Sequence, residues 1–185
     1  MSGKVFGIGL SKTGTTSLNQ ALVQLGLNSK HYPQRSELFA GDFRCLEKYD
    51  AATDIPVAPY FAQLDEAFPG AKFILTVRKL DDWLRSMERW LVPGRRASDF
   101  MIQMRLAVYG VTTFHRGRLK YVYERHVREV EEYFKQRPRD LLVLDVCAGE
   151  GWEKLCAFLN KPVPPGPFPF IVPGAGASSR SDGDS

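Results

Sequence analysis

The chain has 185 residues, 44% of them hydrophobic and 25% charged, which suits one globular domain with a sizeable core. A net charge of +4 fits an anionic ligand and is too small to argue for nucleic acid. Three cysteines without C-x-x-C spacing, Cys45, Cys147 and Cys156, read as reduced and mostly buried thiols, against a disulfide scaffold or a zinc site.

In chain order, Val5 to Leu18 comes first, VFGIGLSKTGTTSL. It opens as a strand, breaks at a Ser-Lys-Thr-Gly turn and resumes as a helix over 15–25 with Gly26 as its stop. The chain enters this strand with no basic leader, and no apolar run is long enough to cross a bilayer. The expectation is a cytoplasmic protein with no stable membrane insertion. A second strand is predicted over 27–32, a partly helical stretch over 35–46, and a third strand over 49–55 with Asp54 at its carboxyl end. A helix over 59–68 leads to KFILTV, 72–77, an apolar strand that delivers Arg78. Helices follow over 80–90, with Asp81 and Asp82 in the first turn, near 98–109, and over 117–137. LLVLDV, 141–146, reads as a last buried strand and 152–159 as a last helix. The Pro-rich segment from 162 is expected to wrap the surface through Phe168 and Phe170, with residues 173–185 a disordered tail beyond a single domain of 1–172.

Strands alternating with helices imply a three-layer α/β fold: a central parallel sheet with a P-loop-like strand-loop-helix at its N-terminus and ligands at the carboxyl ends of the strands. That rule puts the Lys12 loop, Asp54, Arg78 and the turn after Asp145 on one rim. A loop of this kind points backbone N–H groups into a concavity at the positive end of a helix dipole. Lys12 adds a full charge, Ser11, Thr13, Thr15 and Thr16 add hydroxyls, and Gly14 permits close approach, so the loop suits a phosphate or sulfonate. Farther on, Arg78 at a strand end and Ser86 eight residues later on a helix could hold a second anion, the arginine fork matching a terminal phosphate.

The common phosphate loop places its lysine after the last glycine, whereas here Lys12 precedes Gly14. Lys12-Thr13-Gly14-Thr15-Thr16 after a first strand, followed by Arg78 and Ser86, resembles the sulfotransferases that use 3′-phosphoadenosine 5′-phosphosulfate (PAPS). Tyr123-x-x-His126, the stretch 149–159 and the Pro-rich 162–169 are similar to a small branch of that family. The resemblance implies PAPS as co-substrate, no required metal, and a small-molecule, glycan or lipid acceptor. It assigns Ser11, Lys12, Thr13, Gly14, Thr15 and Thr16 to the phosphosulfate, and Arg78 and Ser86 to the 3′-phosphate. Two departures stand out: the C-terminal R-K-G-x-x-G element is absent, and no Trp follows the loop to stack on adenine. Arg95, Arg96, Arg105, Arg116, Arg118 and Trp83 are candidates to grip the nucleoside instead.

Sulfuryl transfer builds negative charge on the departing 5′-phosphate, which Lys12 and the loop amides would neutralise. The acceptor needs a base, for which Asp54 is the first candidate and His31 and His115 the others; His126 lies on an apolar helical face and reads as a core histidine. The acceptor pocket is expected from the aromatic and basic stretch 83–123. Two other readings stay open. Leu141 to Asp145 resembles the metal-holding strand of a nucleotide kinase or NTPase, and the fold could persist as a non-catalytic nucleotide-binding module. The glycines of V-C-A-G-E-G mimic a methyltransferase loop, but at the wrong end of the chain, so Gly149 and Gly151 read as turn formers.

Overall fold

The structure, a computed structural model, describes residues 3–94 and 96–171; Arg95 and the tail from 173 lie outside the described residues. Among these, β1 (Val5–Gly7), β2 (Ser29–His31), β3 (Ala51–Thr53), β4 (Lys72–Thr76) and β5 (Leu141–Leu144) form one sheet in the order β2-β3-β1-β4-β5. Every pairing is parallel, with Val5 opposite both Ala51 and Lys72. The helices are α1 (Thr15–Gln24), α2 (Phe61–Ala67), α3 (Leu80–Trp90), α4 (Asp99–Tyr109), α5 (Arg116–Phe134) and α6 (Trp152–Leu159). The partly helical stretch resolves into two 3₁₀ turns, Ser36–Ala40 and Arg44–Leu46.

Alternation along the strands separates two cores. Phe6, Ile8, Phe73 and Leu75 face one side, where Leu64 of α2 and Val130 and Phe134 of α5 cover them. Val5, Ala51, Ile74 and Leu144 face the other, under Leu18 and Leu22 of α1 and Leu155 of α6. Both faces of the central strands are therefore buried, which is why these strands read as apolar runs. A third cluster joins Trp83 and Met87 of α3, Met104, Val108 and Tyr109 of α4 and Leu119, Val122 and Tyr123 of α5 beneath Leu10 and Ile55 at the rim of the sheet.

β5 departs from expectation. LLVL pairs only with β4, at the edge of the sheet; Leu144 alone is buried, and Val143 is exposed. An apolar run reports propensity for extended backbone, and its position in the strand order is not written into it.

His126 of α5 is 8% exposed, and its Nε2–H donates to the Ile8 carbonyl over 2.7 Å, tying α5 to the end of β1. Burial pushes its pKa below the ordinary 6.5, the carbonyl contact opposing this in part. A depressed folded pKa contributes stability that is complete above pH 6.5 and is lost as pH falls through the folded value, because the unfolded chain takes the proton first. Resistance of the wild-type protein to denaturant is expected to fall between pH 7.5 and 5.5. His126→Gln, which keeps a donor for Ile8 and cannot charge, should show a smaller decline; an identical decline in both would remove His126 from the account.

Candidate active site

The loop after β1 is shaped by two close approaches. Gly9 lies so near β4 that a side chain there would strike the Thr76 hydroxyl and backbone, and Lys12 is held at φ 73°, a left-handed conformation. Thr13 is fully buried, its hydroxyl donating to the Leu10 carbonyl over 2.6 Å and lying 2.6 Å from Thr76 Oγ1. Thr13 was expected to offer its hydroxyl to the anion; it is instead an internal pin, because its side chain turns toward β4. Ser11, Lys12, Gly14, Thr15 and Thr16 do line a cleft, a cavity of about 620 Å³ at the carboxyl ends of the strands. The first turn of α1, whose N–H groups helix geometry leaves without intrahelical partners, lines it through Thr15, Thr16 and Ser17.

β3 delivers Asp54 to this cleft at φ 82°, 6% exposed. Its Oδ1 accepts from Ser11 Oγ at 2.9 Å and from the Ile55 N–H at 2.7 Å. Its Oδ2 accepts from Thr15 Oγ1 at 3.0 Å and lies 3.5 Å from His31 Nε2. His31, at the end of β2, also meets Thr16 Oγ1 through Nε2 (3.2 Å) and Thr53 Oγ1 through Nδ1 (2.9 Å). The hydroxyls of Ser11 and Thr15 are thus turned to the carboxylate, while Lys12 and Thr16 line the cleft beside them.

On the opposite flank, β4 brings Arg78. Its Nη1 donates to the Lys12 carbonyl over 3.3 Å, and its Nε is buried without a hydrogen-bond partner. Tyr123 holds the Arg78 backbone twice, its hydroxyl accepting from the N–H at 2.9 Å and donating to the carbonyl at 2.5 Å. Ser86, buried on α3, lines the cleft with Arg78. Arg89 and Trp90 line it from the same helix. Sequence reading missed Arg89; its place three residues after Ser86, on the same helical face, was the available signal.

Other expectations are redirected. Trp83 has no exposed surface, so it cannot stack on a base; its Nε1–H donates to the Ser11 carbonyl over 2.8 Å, supporting the loop from below. Tyr109, fully buried, accepts the Ser11 N–H at 3.0 Å, and burial raises its pKa. Arg105 lies over the Trp90 ring at 4.3 Å, Arg116 pairs with Asp81 at 2.9 Å, Arg118 donates to the Tyr109 carbonyl at 2.8 Å, and neither these nor Arg96 line the cleft. His115 is an exposed helix cap, its Nδ1 accepting the Arg118 N–H, and is not a cleft residue. Asp145, the metal candidate of the kinase reading, caps the turn Val146–Ala148 by accepting the Ala148 N–H at 2.9 Å; its neighbours Val146 and Cys147 line the cleft. Tyr32, pushed up to about 12 chiefly by burial, forms part of the wall near Asp54 with Trp90 and Met101.

A family profile described as the sulfotransferase domain matches residues 4–174 of this chain. The chain is also similar to Ava biosynthesis cluster protein M of Aspergillus versicolor, with 30% identity over 213 aligned positions that cover 91% of this chain and 80% of that protein. A profile match that begins one residue before β1 and runs past α6, on an all-parallel sheet with helices on both faces, places the chain in a family: it belongs to the sulfotransferases.

Proposed function

We propose that this protein transfers a sulfuryl group from PAPS to a hydroxyl, or an amine, of a small-molecule acceptor. One observation carries the reading: a single cleft sets a carboxylate, Asp54, against one side of the Lys12 loop and an arginine, Arg78, against the other. Two anion sites and a proton acceptor are what this transfer requires. The residues fit the donor, because the orphaned Arg78 Nε, with Ser86 beside it in the cleft, suits a phosphate oxygen. A triphosphate with magnesium could use the Asp54 carboxylate at the loop but would leave Arg78 and Ser86 without a ligand, and Asp145, the metal candidate in the sequence, caps a turn.

PAPS supplies the SO₃ group: the sulfur–oxygen bond to its 5′-phosphate breaks as the acceptor oxygen bonds to sulfur. Lys12 and the first turn of α1 neutralise the charge that gathers on the departing phosphate. Arg78 and Ser86 orient the donor through its 3′-phosphate. Asp54 takes the acceptor proton on Oδ2, the oxygen nearer His31, and the pair can share it. Ser11 and Thr15 keep the carboxylate aimed while this happens. Tyr32, Trp90 and Met101 give the acceptor an apolar wall, and Arg89 a positive charge at the cleft for an acidic substituent. The thiols Cys45, Cys147 and Cys156, all free, suit a reducing compartment such as the cytoplasm.

Calorimetric titration with 3′,5′-adenosine bisphosphate is expected to give magnesium-independent binding, weakened at least about tenfold by Lys12→Ala and by Arg78→Ala. Preference for ATP with magnesium would sink the reading. In transfer assays with labelled PAPS and a panel of phenols and alcohols, Asp54→Asn is expected to lower kcat about a hundredfold or more while leaving bisphosphate affinity within a few-fold. Loss of both together would reduce Asp54 to a brace for the loop.

A further inference from the structure

The segment after α6 has a course that neither the loop nor Arg78 accounts for. Lys161 Nζ donates to the Leu25 carbonyl over 3.1 Å, fastening the segment beside the C-terminal end of α1. Phe168 stands edge-on to Trp152, ring centroids 4.9 Å apart, in a space left by Gly151, where a side chain would come within 2.9 Å of the Phe168 Cβ. The Ile171 N–H then donates to Ser17 Oγ at 2.9 Å, in the first turn of α1. The strap therefore runs along α1 from its end to its beginning. Pro162, Pro164, Pro165, Pro167 and Pro169 keep it extended and limit the freedom it must lose.

Its last described residues reach the cleft. Phe170 and Ile171 line the cavity, and 65% of Phe170 is exposed, a large apolar ring on a fastened backbone. The strap arrives on a particular flank. Trp152, against which Phe168 is anchored, opens α6 just after β5, and a side chain on Gly14 would meet Val146 at 3.0 Å, so loop, β5 turn and strap converge. The rim is polarised by strand order: His31, Tyr32 and Asp54 follow β2 and β3 on one side, while Arg78, Val146 and Cys147 follow β4 and β5 on the other. A nucleoside held by its 5′-phosphate in the loop and its 3′-phosphate at Arg78 carries its ribose to the β4–β5 side and leaves the Asp54 side to the acceptor. The loop offers no aromatic surface there, since Ser17 follows Thr16 and its hydroxyl receives the strap.

We propose that Phe170 is the stacking platform for the purine base, with Ile171 and the Val146–Cys147 turn closing the base site. The assignment rests on the PAPS reading and gives the C-terminal strap a direct part in donor binding. Nucleotide bases stack on aromatic side chains with enough energy for truncation to cost about tenfold in affinity.

The test compares 3′,5′-adenosine bisphosphate with abasic deoxyribose 3,5-bisphosphate, which offers the phosphates without a base, by calorimetry on the full chain. Phe170→Ala is expected to weaken the adenosine compound about tenfold and to leave the abasic one unchanged. Phe170→Trp should restore affinity, and its added indole emission should be quenched by the adenosine compound alone. If the wild-type protein binds the adenosine compound and Phe170→Ala binds it equally well, or loses both compounds alike, the assignment to Phe170 is overturned and the PAPS reading stands. If the wild-type protein binds neither, the PAPS reading falls and takes this proposal with it. The high exposure of Phe170 keeps these variants folded, which an unchanged denaturation midpoint verifies.

Discussion

The bonds from the Asp54 carboxylate to Ser11 and Thr15 are the constraint on which the site depends. They tie the end of β3 to both halves of a loop that belongs to β1, and each of the two segments they join carries a residue of left-handed backbone, Lys12 in the loop and Asp54 after β3. Backbone in that conformation persists only where its surroundings over-determine it, and each such residue costs on the order of 1–3 kcal/mol. Two hydroxyls, one backbone N–H and a nearby imidazole around a single carboxylate supply that determination. The same bonds commit the Ser11 and Thr15 hydroxyls to the carboxylate.

Beneath the rim, the third layer works through the polar tips of large side chains. Trp83 donates to the Ser11 carbonyl, Tyr109 accepts the Ser11 N–H, Tyr123 clasps the Arg78 backbone and His126 holds the Ile8 carbonyl. Each buries an apolar body in the cluster of α3, α4 and α5 or against the sheet, and spends its polar end on a backbone group that strand pairing leaves open. The helical layer is thereby coupled to both the Lys12 loop and the Arg78 segment. Tyr123-x-x-His126 is legible in the sequence as a motif, and its purpose is this coupling: one turn of α5 reaches the ends of β4 and β1.

The strap gives the remaining side of the cleft. A Pro-rich segment is expected to lie on a surface, and it does so along α1 through contacts at Leu25, Trp152 and Ser17 that are distant in the sequence. Its course makes the cleft a meeting point of the first and last described parts of the chain, so residues of both line it.

The sequence by itself determined what local physics controls. The strand-loop-helix, the short apolar strands, the spacing of Arg78 and Ser86 and the bounds of α3 and α6 follow from periodicity, sterics and turn chemistry within a few residues, and all are present where expected. Tertiary structure decided what depends on the partner a residue meets. Trp83 became a buried support, Thr13 an inward pin, His115 a helix cap, Asp145 a turn cap and β5 an edge, while Arg89 and Phe170 entered the cleft. The physical reason is common to all of them: side-chain type specifies which interactions are possible, and only the packing of elements far apart in the chain selects the one that is made.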